Sequence, residues 1–306
     1  MKRLFFFLTL AFACSLTAPQ ANAQTEKVRE HYLSYESQIP HGTVVYTWYF
    51  SKSLNCQRRL AVYLPPSYFS GKDYYPVLYL LHGTFGDEQN WVKRGCANIM
   101  DNLIAEGRAK EMIVIMPNTN MWQQACSEFT GIPDPYSDGK SATEHLTDGR
   151  FEESFSEIIS FTEKNFRTIT KKNSRAIAGL SRGGFFAMHI SHYLNSLFDY
   201  VGLFSPTYAT SGIDRQELTT ANLFTTSKRT PKVYKNVEKD LKRQFQTPPA
   251  LYWIAIGSDD FLYRENQLFL KKMDEWKYPY IYHESEGGHS WENWQDYLIL
   301  FAPQLF

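Results

Sequence analysis

The segment Gly179-Leu180-Ser181-Arg182-Gly183-Gly184 constrains this chain more than any other. A short apolar run, 175–178, precedes it, and a run with helical spacing, 185–194, follows it. A serine between glycines at a strand-to-helix junction reads as a nucleophile elbow, a tight turn that lifts Ser181 clear of a sheet. Gly179 and Gly183 suit that turn because a Cβ there would clash. The helix N-terminus then points free N–H groups and the positive end of its dipole at a developing oxyanion. The pattern G-x-S-x-G alone arises by chance in roughly one chain of this length in ten, given Gly near ~7% of residues. The strand–turn–helix setting is what separates it from a glycine-rich loop with an incidental serine.

The remaining pattern supplies the fold that such an elbow needs. Residues 77–81 (VLYLL), 112–116 (MIVIM), 200–204 and 251–256 are continuous apolar runs, as expected of strands buried on both faces, and 280–283 reads as a last strand. Stretches 99–106, 261–276 and 291–301 have helical spacing, and 151–166 places Phe151, Phe155, Ile158, Ile159 and Thr162 on one face. Residues 43–50 and 59–64 read as an antiparallel pair. Strand–helix alternation of this kind predicts an α/β architecture, a mostly parallel central sheet with helices on both faces, in one catalytic domain over residues 24–306. Segments 118–147 and 206–231 have no strong period, and each follows a predicted parallel strand. Sites in open α/β sheets form at the carboxyl ends of strands, so these two segments are expected to build the pocket.

The first residues read as an address. Lys2 and Arg3 precede an 11-residue apolar run, 4–14, and then a polar stretch and Ala21-Asn22-Ala23. This is the pattern of a secretory signal peptide over residues 1–23, and the run is far short of the ~20 residues of a membrane span. Export to the periplasm or the medium is the expectation; a lipidated Cys14 is the rival, and Ala11-Phe12-Ala13 fits it poorly. In an oxidising compartment the odd set Cys56, Cys96 and Cys126 allows one disulfide, for which Cys96–Cys126 is the candidate pair, or three buried thiols. No Cys/His cluster suggests zinc, so neither metal nor cofactor is expected. Lys+Arg and Asp+Glu both number 32, and this balance makes nucleic acid an unsuitable partner.

A serine needs a base, and the base an orienting acid, in the chain order Ser, Asp or Glu, His. Strand 251–256 runs into Gly257-Ser258-Asp259-Asp260. Either aspartate can be the acid; Asp260 is preferred because the turn needs a few residues to cross the strand end. Past the last strand come Gly287-Gly288-His289, and the diglycine lets His289 swing toward Ser181 as the base. His283 falls inside the last strand, and His189 and His192 too far along the helix after the elbow. The backbone N–H of Arg182 is one oxyanion donor, and that of Thr84, in the loop His82-Gly83-Thr84, is the expected second. Aromatic residues are 16% of the chain. Most are expected in the core, but Trp122, Tyr136, Tyr208, Trp291 and Trp294 fall in or near the presumed pocket loops and can stack on a sugar or phenolic ring.

The runs LLHGTFGDEQNW, AGLSRGGFFA, GSDDFLY and ESEGGHSWENW together resemble the putative esterase family of α/β hydrolases, over about residues 44–301. That family includes feruloyl and acetyl-xylan esterases, S-formylglutathione hydrolases, enterochelin esterases and mycolyltransferases. The resemblance implies the α/β-hydrolase fold, the triad Ser181, Asp260 and His289, and oxyanion donors at Thr84 and Arg182. It also implies a serine carboxylesterase and, taken with the export read from residues 1–23, one acting on feruloyl or acetyl esters of plant cell-wall polysaccharide such as xylan. The alternatives are acyl transfer of the mycolyltransferase type and a non-catalytic carbohydrate-binding protein. The residue after the nucleophile is often Met or Gln in the family; Arg182 departs from that and puts positive charge near the pocket.

Overall fold

The computed structural model describes residues 18–84, 86–120, 148–209, 214–228 and 230–306. Its centre is an eight-stranded sheet in the order β1-β2-β4-β3-β5-β6-β7-β8. The strands are β1 (Thr43–Ser51), β2 (Cys56–Leu64), β3 (Val77–Leu81), β4 (Ile113–Pro117), β5 (Arg175–Leu180), β6 (Tyr200–Phe204), β7 (Leu251–Gly257) and β8 (Ile281–Ser285). β1 pairs antiparallel with β2, and β2 with β4; every later pairing is parallel. This is the α/β-hydrolase architecture, and every strand anticipated in the sequence is present.

The helices are α1 (Ala18–Leu33), α2 (Asn90–Lys93), α3 (Cys96–Ala105), α4 (Arg150–Asn165), α5 (Arg182–Tyr193), α6 (Val237–Gln244), α7 (Tyr263–Trp276) and α8 (Trp291–Phe301). Alternate residues of the buried strands feed two cores. Val77, Tyr79, Leu81, Ile177, Leu203 and Ile254 meet α4, α5, α6 and α7 on one face. Leu78, Leu80, Ala176, Ala178, Trp253 and Ala255 meet α3 and α8 on the other. The period of two along each strand is therefore hidden in the sequence, because both faces demand apolar side chains. In α4 the expected face, Phe151, Phe155, Ile158, Ile159 and Thr162, is buried.

Two expectations need correction or qualification. Cys96 does not lie in a loop and is not half of a disulfide: it opens α3, faces the core as a free thiol, and burial pushes its pKa up to about 12. Cys126 and Cys14 lie outside the described residues. α1 runs across the expected cleavage point after Ala23, and its last turns are tied down by Arg29 to Asp296 at 2.8 Å and by Asn102 Nδ2 donating to the Tyr32 carbonyl at 3.1 Å. No described helix is long and apolar enough to cross a membrane.

Candidate active site

Ser181 joins β5 to α5 with φ +54° and ψ −118°, a conformation that L-residues rarely adopt. Such strain persists only where the surroundings over-determine it. Here Ser181 N donates to the Phe204 carbonyl at 2.8 Å, and its own carbonyl accepts from Gly184 N and Phe185 N. The two elbow glycines have no room for a side chain. A Cβ on Gly179 would stand 2.4 Å from the Gly183 backbone, and one on Gly183 2.5 Å from the His82 carbonyl oxygen. β5 lies between β3 and β6, so the loop after β3 passes directly over the elbow.

That loop is fixed by a histidine. The buried His82 accepts from Thr119 N at Nε2, 2.9 Å, which leaves the proton on Nδ1 to be donated to the Gly83 carbonyl at 2.7 Å. Burial holds its pKa down to about 4, so the ring is neutral and the tautomer settled. With the Gly83 carbonyl turned toward the ring, Thr84 stands at the cavity wall beside Ser181 and Arg182. Neither the Thr84 nor the Arg182 amide takes part in a hydrogen bond among the described residues, so both are open to an incoming oxyanion.

The acid and histidine loops leave β7 and β8, which are neighbours. They are laced together: Ser258 N donates to Ser285 O at 2.8 Å, Asp259 N to Gly287 O at 3.0 Å, and Asn293 Nδ2 to Gly288 O at 2.9 Å. Gly287 takes φ +82°, the left-handed conformation its place after the strand requires. His289 Nδ1 then sits 2.8 Å from Asp260 Oδ2, and His289 Nε2 2.9 Å from Ser181 Oγ. Asp260 is buried and its Oδ1 accepts from Leu262 N, whereas Asp259 is exposed. The ring of His289 is held between Phe261, 4.6 Å away, and the edge-on Trp294 at 4.9 Å.

Ser181 opens into a cavity of about 390 Å³, whose walls include Thr84, Asn90, Arg182, Arg215, Phe261, Trp291 and Trp294. Of the aromatics singled out in the sequence, Trp291 and Trp294 line it. Tyr208 does not. The amides of Tyr208 and Ala209 both donate to Glu265 of α7, so the chain after β6 clings to that helix and drives Tyr208 into the core, stacked on Phe269 at 4.0 Å. Trp122 and Tyr136 lie outside the described residues. Sequence reasoning missed Phe261, which looked like the first residue of a helix; its place directly after Asp260 was the available signal. His189 and His192 are buried in the core of α5, and His283 stacks on Trp253. Among the described residues no cluster of three metal-ligating side chains occurs.

Together the elements form a serine activated through a histidine by a buried carboxylate, with two free amides opposite, the arrangement that acyl transfer requires. Comparisons with known proteins give the family and the class of enzyme. The family described as "Putative esterase" matches residues 51–305. An endo-1,4-beta-xylanase/feruloyl esterase of Xylanibacter ruminicola is 35% identical over 182 residues, which is 58% of this chain and 23% of that protein. The chain thus spans about a quarter of that relative's length. An acetyl esterase of Caldicellulosiruptor saccharolyticus is 26% identical over 240 residues, 72% of this chain and 80% of that one. Among solved structures, a ferulic acid esterase superposes with a TM-score of 0.63 at 28% identity, covering 86% of this chain and 97% of its own.

Proposed function

The chain belongs to the putative esterase family of α/β hydrolases, and on that footing we propose that it is an exported serine carboxylesterase working through an acyl-enzyme on Ser181. The observation that carries the reading is the pair of short contacts from His289, 2.9 Å to Ser181 Oγ and 2.8 Å to Asp260 Oδ2. Ser181 Oγ attacks the ester carbonyl as His289 Nε2 takes its proton. Asp260 keeps the ring in the Nδ1–H tautomer and stabilises the imidazolium that forms. The Thr84 and Arg182 amides receive the tetrahedral oxyanion, and removing one such donor typically costs ~100-fold or more in rate. His289 then protonates the leaving alcohol, activates water against the acyl-enzyme and returns the proton to Ser181.

The proposed substrates are feruloyl or acetyl esters on plant cell-wall polysaccharide. The named activities of the relatives favour them, and so do Phe261, Trp291 and Trp294 in the cavity wall, which offer flat apolar surface to a phenolic or sugar ring. Export rests on the signal-peptide pattern of residues 1–23 and implies a periplasmic or secreted enzyme. Hydrolysis of p-nitrophenyl acetate by the wild type, lost in Ser181→Ala, tests the activity. A protein that binds acetylated xylan or methyl ferulate with no turnover would replace it with the carbohydrate-binding reading.

A further inference from the structure

An oxyanion donor at position 182 uses only its backbone amide, yet the residue there, which lines the cavity, is an arginine. Its Nε and Nη1 are buried with no hydrogen-bond partner. The guanidinium lies over the ring of Phe185, 4.8 Å from its centroid. A π-face attracts a cation but accepts none of the five N–H bonds that a guanidinium offers, and buried donors left unpaired are costly.

Among the described residues no carboxylate hydrogen-bonds to it, although Glu265, whose Oε2 is buried and itself without a hydrogen-bond partner, attracts it from a distance. Glu265 Oε1 already accepts from Thr207 Oγ1 at 3.0 Å and from the Tyr208 and Ala209 amides, and its Oε2 faces Arg215 Nε at 3.8 Å. Glu152 accepts from the Tyr234 hydroxyl, and burial pushes its pKa up to about 8, so it is mostly uncharged at neutral pH. The other cation in the wall is Arg215, exposed and stacked over Phe261 at 5.0 Å. Among the described residues, two arginines, His289 and no carboxylate line the cavity.

We propose that this cavity selects esters that carry a carboxylate, which the Arg182 guanidinium binds within the same cavity as Ser181, with Arg215 adding positive potential at the rim. This deepens the esterase reading and rests on it for its kinetic test, though not for its binding test. Charge-assisted hydrogen bonds between a guanidinium and a carboxylate are the strong ones, and Nη2, the one guanidinium nitrogen not fully buried, is the atom that can meet the ligand. The carboxylate can belong to the acyl half, as in a half-ester of a dicarboxylic acid, or to the alcohol half, as in an ester on or beside a uronic acid.

Two pairs of esters separate those sources. p-Nitrophenyl hemiglutarate against p-nitrophenyl pentanoate places the charge on the acyl side. 4-Acetoxybenzoate against 4-acetoxybenzamide places it on the alcohol side. In one pair the wild type is expected to favour the charged ester in kcat/KM by about tenfold or more, and Arg182→Met to lower that charged-to-neutral ratio by about tenfold to a hundredfold. Arg182→Lys should retain part of the preference, since it keeps the charge and loses the guanidinium. The ratio within each variant is the readout, so a general loss of rate does not imitate the effect. A wild-type ratio of one or less in both pairs overturns the proposal, and so does a ratio unchanged in Arg182→Met. If Arg182→Met does not fold, competition on the wild type decides. Glutarate or 4-hydroxybenzoate should inhibit turnover of the neutral ester at least tenfold more strongly than the matching amide, and equal inhibition rejects the idea. If no ester is turned over at all, the esterase reading fails by itself. Calorimetric binding of the same acids and amides to the protein then settles the anion site.

Discussion

Asp260 Oδ2 and His289 Nδ1 stand 2.8 Å apart although 29 residues separate them. The contact is a consequence of β7 and β8 being parallel neighbours whose following loops exchange backbone hydrogen bonds, Ser258 to Ser285 and Asp259 to Gly287. The backbone of Asp259 is thus spent on joining the two loops, while the side chain of Asp260 is turned under the histidine. Division of labour between adjacent aspartates follows from that geometry.

The first expected outcome concerns this pair. Asp260→Asn should lower kcat by roughly 10⁴-fold, because an amide at that place stabilises the wrong tautomer and no imidazolium. Asp259→Asn keeps the backbone bond to Gly287 and places only an exposed amide in water, so it should change kcat less than about twofold. Steady-state kinetics on p-nitrophenyl acetate rank the two; the opposite ranking would move the acid to Asp259.

A second outcome tests the elbow. In Gly183→Ala the new methyl would lie 2.5 Å from the His82 oxygen and 2.6 Å from the Leu81 oxygen, both backbone atoms that cannot rotate away. The turn and the loop carrying Thr84 must therefore separate. The expected cost is about 1–3 kcal/mol of stability with a loss of kcat of ~100-fold or more, as two amides leave their places. Gly71→Ala, where the nearest atom is 3.4 Å away, is the control. Urea melts and kinetics on both variants check it; normal activity in Gly183→Ala would mean the elbow tolerates a side chain.

Much of this site was legible because its parts sit at strand ends, and strands buried on both faces announce themselves as unbroken apolar runs such as VLYLL at 77–81. Ser181 and Asp260 each follow such a run, and His289 follows the less buried edge strand β8, so their order along the chain pointed to their meeting. What stayed hidden depends on contacts between distant segments. Tyr208 looked like a pocket aromatic because nothing local shows that Glu265, 57 residues on, captures its amide. His82 looked like a common His-Gly pair, since its partner Thr119 follows a different strand. α6 escaped notice because its buried positions Val237, Leu241 and Gln244, though spaced as a helix face, include only two apolar residues in a short charged segment.

The third outcome is a pH profile of stability. His82 and His192 are buried, and loss of hydration brings their pKa values from 6.5 to about 4 and about 3. As pH falls through 6.5 the unfolded chain binds protons that the folded chain refuses. Each histidine therefore contributes fully above pH 6.5 and destabilises by up to ~1.4 kcal/mol per pH unit on the way down to its folded value. Glu152 works the other way. Its carboxyl, raised from 4.5 to about 8, stays protonated in the fold while the unfolded chain ionises, so its contribution is lost as pH rises from 4.5 to 8. Stability should peak near pH 6.5, and Glu152→Gln should flatten the alkaline side and steepen the limb between pH 4.5 and 6.5, where Glu152 opposes the histidines. Urea midpoints at pH 4.5, 6.5 and 8 measure this; a flat acid limb would contradict the buried neutral histidines.

Processing supplies the fourth. With cleavage after Ala23, mass spectrometry of the exported protein should find Gln24 at the N-terminus, free or cyclised. The Arg29–Asp296 pair and the Tyr32 contact both lie beyond that point, so α1 keeps its anchoring turns. A diacylated Cys14 in the spectrum would make the protein a lipoprotein instead.

The last outcome concerns the acyl group. A feruloyl ring slotted between the apolar walls of the cavity buries about 150 Å² of apolar surface, worth several kcal/mol at ~25 cal/mol per Å² before ordering costs. Phe261, Trp291 and Trp294 give the ~390 Å³ cavity the flat surfaces for this, and its volume accommodates a phenolic ring with its linker. An acetyl group has too little surface to collect the same energy. With a common leaving group the enzyme should therefore prefer the aromatic acyl ester in kcat/KM by about tenfold or more. Phe261→Ala should erode that preference, since the ring is exposed at the cavity wall and packs nothing in the core. The same substitution also removes one side of the His289 support, so kcat on acetyl esters is the internal reference: a drop shared by both esters reports His289, and a drop confined to the aromatic ester reports the acyl site. Equal kcat/KM for methyl ferulate and methyl acetate in the wild type would end the feruloyl assignment and leave Ser181, Asp260 and His289 in their roles.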